Sequence, residues 1–174
     1  MSEAYENMMT RRSVRKYLDT PVPAEVIDRI ITAGLYAPTG RNMQSPIIVA
    51  VTDRELRDRL SRMNAAVMGS DGDPFYGAPA VLVVLADRNC RTHVYDGSLV
   101  MGNLMFAAHD AGLGSCWIHR AREVFSTPVG KDIMKKWGLD ENYVGIGNCI
   151  LGYSDKPVPD AKPRKGGNVI FEHH

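Results

Sequence analysis

The stretch Asp96–Ala111 constrains this chain more than any other. Leu99, Val100, Leu104, Met105, Phe106, Ala107 and Ala108 make it apolar on most sides at helical spacing. A helix without a broad polar face belongs inside a core or between subunits. The rest of the chain must supply the layers that cover it. Gly112-Leu113-Gly114 then breaks the helix.

The 174 residues fit one domain, 1–174, with a real core. The sequence is 44% hydrophobic and 24% charged, which excludes disorder as the main state. Its net charge of +1 removes any whole-chain case for nucleic acid or an anionic membrane, so a basic site must be local. Cys90, Cys116 and Cys149 are widely spaced and odd in number, with no CxxC pair and no zinc-spaced His. Neither a disulfide framework nor a metal site is expected, and a reducing cytoplasm fits. The longest apolar run, Ala80–Ala86, is far too short for a membrane span. Met1–Tyr5 carries no basic-then-apolar signal. The closing His173 and His174 match the stub of a purification tag and are given no function.

Periodicity predicts helices over Ala4–Thr10, from Pro23 through Leu35, from Thr52 to about Met68, and over Thr127–Trp137, besides Asp96–Ala111. Thr52 and Glu55 read as a capping box. Strands are predicted at Ile47–Val51, Pro79–Ala86, Ser115–Ile118 and Tyr143–Tyr153. Arg11–Pro21 reads as extended, Ala37–Pro46 and Gly69–Gly77 as loops, and the Pro- and Lys-rich tail from Ser154 as extended. Alternation of helices and strands by itself predicts a parallel sheet. There is no GxGxxG and no GxxxxGK[ST], so a phosphate would be held by another device.

Four stretches carry candidate chemistry. In extended Arg11–Tyr17, alternation puts Arg11, Ser13 and Arg15 on one face and Arg12 on the other. Arginine forks and a hydroxyl suit phosphate or carbonyl oxygens; a solvated basic turn is the plain alternative. Ala37–Pro46 holds Asn42 and Gln44, whose amides suit a ring with alternating N–H and C=O groups, or it simply connects two elements. Gly112–Arg120 combines glycines that allow close backbone approach with Trp117, Cys116 and His119. Trp117 fits a core as well as a flat ligand. Cys116 has no identifiable base and fits a buried thiol better than a nucleophile. Lys162 and Arg164 form a second basic cluster, on a stiffened or a disordered tail.

Taken in order, these stretches resemble the FMN-dependent nitroreductase family. The matching runs are Arg11–Tyr17, Ala37–Pro46, Gly112–Ile118, and Leu151-Gly152-Tyr153 followed by Lys162 and Arg164. The resemblance implies an α+β fold, a three-layer α/β/α sandwich around a mainly antiparallel sheet, which displaces the parallel-sheet expectation. It implies an intertwined homodimer with FMN at the subunit interface, Asp96–Ala111 as the central dimer helix, and a tail from about residue 154 packed on the partner subunit. It assigns Arg11, Arg12, Ser13 and Arg15 to the phosphate, ribityl chain and pyrimidine edge, and Lys162 and Arg164 to the phosphate. Pro38, Thr39, Gly40, Asn42 and Gln44 would come from the other copy. Trp117, Ile118, His119 and Arg120 would run beside the isoalloxazine.

The implied activity is hydride transfer from NADH or NADPH through flavin N5 to a small oxidised acceptor, in ping-pong order, with no protein nucleophile. Arg15 is the candidate cation near the flavin pyrimidine. A flavin-storing or flavin-sensing protein is the competing function. RNA binding through the basic clusters is disfavoured by the near-neutral charge and by the lack of aromatic residues around them. Two departures stand out. His119-Arg120 replaces the Gly-Gly of many relatives, and Gly69–Gly77 leaves little room for a helical lid, so an open pocket is expected.

Overall fold

The computed structural model describes residues 2–172; His173 and His174 lie outside them. Helix α1 covers Glu3–Thr10 and α2 covers Ala24–Leu35, followed by a 3-10 turn at Gly40–Asn42. Then come β1 (Pro46–Val51), α3 (Arg54–Met68), β2 (Ala80–Asp87) and α4 (His93–Asp110). The chain closes with β3 (Gly114–Ile118), α5 (Ala121–Ser126), α6 (Pro128–Lys136) and β4 (Tyr143–Gly152).

The sheet runs β1-β2-β4-β3, and every pairing is antiparallel. The parallel order that alternation predicts is thereby corrected. Val51 pairs with Val81, so β2 begins where β1 ended. After α3 carries the chain away, residues 69–79 bring it back, which a simple crossover would not do.

Strand β2 is the centre of the molecule. Val81 through Ala86 have no exposed surface, because both faces of the strand are covered. Leu82 and Val84 join Ile27, Ile30, Val100, Met101 and Leu104 in one core layer. Val81, Val83 and Leu85 join Leu60, Phe125, Ile133 and Met134 in the other. Alternating side chains of one continuous apolar run thus serve two helical layers, giving the α/β/α sandwich.

Helix α4 is only half enclosed. Gly97, Val100, Met101, Leu104 and Ala108 face the core. Tyr95 and Leu99 remain 72% and 48% exposed on the outward side. The helix begins at His93, earlier than its apolar pattern suggests.

Two local readings are corrected. The cap of α3 is Asp53, whose carboxylate accepts from Leu56 N at 2.8 Å; Thr52 lies one residue too early. An aspartate at that place also meets the positive end of the helix dipole. Helix α5 is absent from the sequence reading because it starts at Ala121 with no side-chain cap from Arg120 and spans six residues.

The loop 69–77 is bound down rather than free. Phe75 is buried, and the Arg57 guanidinium lies 5.6 Å from its ring centre. Asp73 accepts hydrogen bonds from Ser61, from Arg57 at 2.8 Å, and from the N–H groups of Phe75 and Gly77. Burial raises the Asp73 carboxyl, but these four donors outweigh it and hold it below its ordinary value. Such a group stabilises the fold fully above its unfolded value of about 3.9 and loses that contribution as pH falls through the folded value. Asp73→Asn should therefore lower stability at pH 7 by about 1 kcal/mol, with the loss shrinking as pH falls below the unfolded carboxyl value. Urea midpoints across that range measure it.

Candidate functional site

Helix α1 is laid on α4. Asn7 Nδ2 donates to the Phe106 carbonyl at 3.2 Å, and Thr10 Oγ1 lies 2.9 Å from His109 Nε2. The chain then leaves the helix extended and is pinned to β3. Val14 N donates to the Ser115 carbonyl at 2.9 Å, and Ser13 forms a bridge with Ser115. A Cβ on Gly114 would lie 2.8 Å from the Val14 side chain, so glycine is what allows this approach. Further on, Tyr17 Oη donates to the Val14 carbonyl at 2.8 Å, and burial pushes its phenol up. Leu18 N donates to the Tyr153 carbonyl at 2.9 Å.

The arginines lie between these anchors. Val14 is buried, Ser13 and Arg15 are exposed, and Arg11 and Arg12 are half-buried. Arg12 Nη1 donates to the Arg11 carbonyl at 2.6 Å. Arg11 Nη1, Arg12 Nε and Ser115 Oγ are buried without any hydrogen-bond partner. Among the described residues, the ion pairs are Arg54–Asp19, Arg57–Asp58 and Arg57–Asp73, so no carboxylate neutralises Arg11, Arg12 or Arg15. Burial, and then the Arg11 and Arg12 charges, hold His109 below its ordinary value. A buried guanidinium nitrogen with no acceptor costs roughly 1–3 kcal/mol, which an oxygen-rich anion would offset.

The loop with Pro38, Thr39, Gly40, Asn42 and Gln44 is tied to the start of α4. Asp96 is 3% exposed; its Oδ1 accepts from Gly40 N at 2.9 Å and its Oδ2 from Thr92 Oγ1 at 2.8 Å. Gln44 N donates to Thr39 Oγ1 at 3.1 Å, and Gln44 Nε2 donates to Asn42 Oδ1 at 3.1 Å. Arg41, Asn42 and Gln44 all hold left-handed backbone, with φ of 53°, 55° and 49°. Asn42 and Gln44 are exposed.

At the far end of β3, Trp117 is half-buried, and a Cβ on Gly147 would lie 2.6 Å from its Nε1. Its indole therefore packs closely on β4 beside Met101. Cys116 and Cys149 are buried, and burial pushes the Cys149 thiol up to about 12. Neither is placed to act as a nucleophile. Ile118 is buried and His119 exposed. Arg120 takes φ 76°, a left-handed conformation that favours glycine. The His119 carbonyl accepts from Asn64 Nδ2 at 2.8 Å, and Asn64 is fully buried.

Lys162 and Arg164 are not brought to the other arginines within this chain. Asp155 N donates to the Lys16 carbonyl at 3.2 Å where the tail begins, and residues 155–172 are exposed. The sequence reading missed Asp96 and Asn64. An acid opening an otherwise apolar helix was a signal for Asp96; nothing local pointed to Asn64.

The model of the nitroreductase family matches residues 8–153. The chain belongs to the nitroreductase family. It is 29% identical over 185 aligned residues to an NADPH-flavin oxidoreductase of Vibrio harveyi, covering 100% of this chain and 75% of that one. It is 31% identical over 158 residues to an Archaeoglobus fulgidus protein named as a candidate NADH dehydrogenase/NAD(P)H nitroreductase, covering 88% and 86%. Among solved structures, a Bacteroides fragilis nitroreductase with bound FMN superposes with a TM-score of 0.90 at 26% identity, covering 99% of this chain and 100% of that one. Among the described residues, no helix is long and apolar enough to cross a membrane.

The Asp96 anchor is testable apart from any ligand. Asp96→Ala leaves the Gly40 N–H without its acceptor, so stability should fall by about 2–3 kcal/mol. Hydrogen exchange at Gly40 should rise well before exchange in β2 does, with both followed by mass spectrometry.

Proposed function

We propose that this nitroreductase-family chain is an FMN-dependent oxidoreductase that passes a hydride from NADH or NADPH to a small oxidised acceptor. The acceptor is a nitroaromatic, a quinone, a flavin or a related molecule. The observation that carries this reading is the pair of buried, unpartnered guanidinium nitrogens on Arg11 and Arg12, beside the unpartnered Ser115 hydroxyl. A donor set of this kind fits the phosphate and ribityl oxygens of FMN.

The chemistry that FMN supplies when bound is hydride acceptance at N5 followed by hydride donation, in ping-pong order. The chain's residues hold and orient it. Arg11 and Arg12 take phosphate oxygens, with Lys162 and Arg164 closing over them. Ser13 donates to the ribityl chain, and Arg15 presents its cation at the pyrimidine edge. Trp117, Ile118, His119 and Arg120 run beside the ring system. Asn64 fixes the His119 carbonyl and so holds the backbone of that turn.

Two copies complete the site. The outward side of α4, with Tyr95 and Leu99, supports a dimer face, and the tail with exposed Val169 and Ile170 supports packing on the partner. The loop with Pro38, Thr39, Gly40, Asn42 and Gln44 then reaches the other copy's flavin. Residues 1–174 act as one domain, and three free cysteines suit the cytoplasm.

The first test is the visible spectrum of the protein purified without added flavin, before and after anaerobic NADH or NADPH. A yellow protein that bleaches is expected. A yellow protein that does not bleach points to flavin storage, and a colourless one that ignores added FMN overturns the reading. In the yellow protein, Arg11→Gln should weaken FMN binding about 10- to 100-fold and Ser13→Ala about fivefold, with smaller effects on turnover of the flavin-saturated enzyme. If Ser13→Ala leaves affinity intact and collapses turnover, its assigned role is wrong.

A further inference from the structure

A cleft of about 400 Å³ opens beside the turn at Trp117–Arg120. Its lining includes Trp117, Val144, Arg88, His93, His119 and Arg122. No carboxylate lines it. Arg88 Nε donates only to the Asn142 carbonyl, at 3.4 Å, and neither Arg88 nor Arg122 forms an ion pair among the described residues. His93 is oriented by the Cys90 carbonyl, 2.8 Å from its Nδ1. The cleft thus joins an aromatic and aliphatic wall to two unpaired guanidinium groups and two imidazoles. Its basic residues are separate from Arg11, Arg12 and Arg15.

We infer that this cleft binds a planar organic carboxylate, so that the acceptor of this enzyme is an aromatic or quinone acid rather than a neutral ring. The inference rests on the flavin reading for the word acceptor; the binding site stands on the lining alone. A guanidinium fork matches a carboxylate with two parallel hydrogen bonds. The indole and valine surface takes a flat ring. The space suits one or two fused rings, at the small end of ordinary ligand pockets. His119 adds a second imidazole to the cleft wall beside His93.

The test measures binding of 2-naphthoate and its neutral isostere 2-naphthamide to the FMN-loaded protein by titration calorimetry. Naphthoate should bind at least about tenfold more tightly, and Arg88→Gln and Arg122→Gln should each cut that ratio about threefold or more. Both arginines are exposed, so thermal midpoints of the variants should match the parent. Equal binding of the two probes overturns the inference. So does a preference that survives both substitutions, or inorganic phosphate that binds more tightly than naphthoate and makes the apolar wall irrelevant. Bleaching by NADH or NADPH is read on the same preparation. Selectivity without bleaching keeps the carboxylate site and removes the redox role. Bleaching without selectivity keeps the oxidoreductase and removes the carboxylate site.

Discussion

The buried Asp96 carboxylate is the interaction on which the arrangement of the site depends. It is the charged residue among the buried positions of α4, placed in the first turn of the helix. Burying a carboxylate is expensive unless donors surround it. Here the Gly40 N–H, the Thr92 hydroxyl and the positive end of the α4 dipole supply that compensation. One side chain therefore locks three parts together: the loop after α2, the connection after β2, and the helix spanning the sheet. The fit is close. A Cβ on Gly40 would lie 2.3 Å from Thr92 Oγ1, so any side chain at residue 40 would push the loop off its anchor.

That anchor explains where the backbone strain sits. Among the described residues, five non-glycine residues have positive φ, and four of them, Arg41, Asn42, Gln44 and Arg120, lie in the two loops proposed to meet the flavin. Left-handed backbone at such residues costs roughly 1–3 kcal/mol each and persists only where the surroundings enforce it. Asp96 enforces the first loop, and Asn64, gripping the His119 carbonyl, enforces the second. Both anchors are buried polar groups on long helices packed against the sheet. The loops are thus held by rigid elements, which is what orienting a flat cofactor requires.

Much of this was legible in the sequence, for physical reasons. The continuous apolar run at Ala80–Ala86 could only be a strand covered on both faces, and it is. The arginines of Arg11–Tyr17 could be assigned to an extended segment because no helical pattern includes them. Strand direction could not be read, because a helix between two strands fits either sense; the length of chain after α3 decided it. Helix α5 carried no cap, and its apolar Ala121, Val124 and Phe125 cover little more than one turn. Asn64 was hidden because a buried amide is recognised only by its partner, the His119 carbonyl, 55 residues away.

The same logic separates the two basic regions. Arg11 and Arg12 are half-buried, each with one guanidinium nitrogen sealed from water and unpaired, so their charge is less screened toward whatever oxygen reaches them. Arg88 and Arg122 are exposed, and their charge is screened by water and salt. The first region suits a tightly held anion, and the second suits the exchanging anion proposed above. The proposed oxidoreductase, with a resident cofactor and an exchanging substrate, needs both kinds of site. The sheet edge at β3 sets them at its two ends, with Ser115 beside Ser13 and Ile118 leading into the turn at His119.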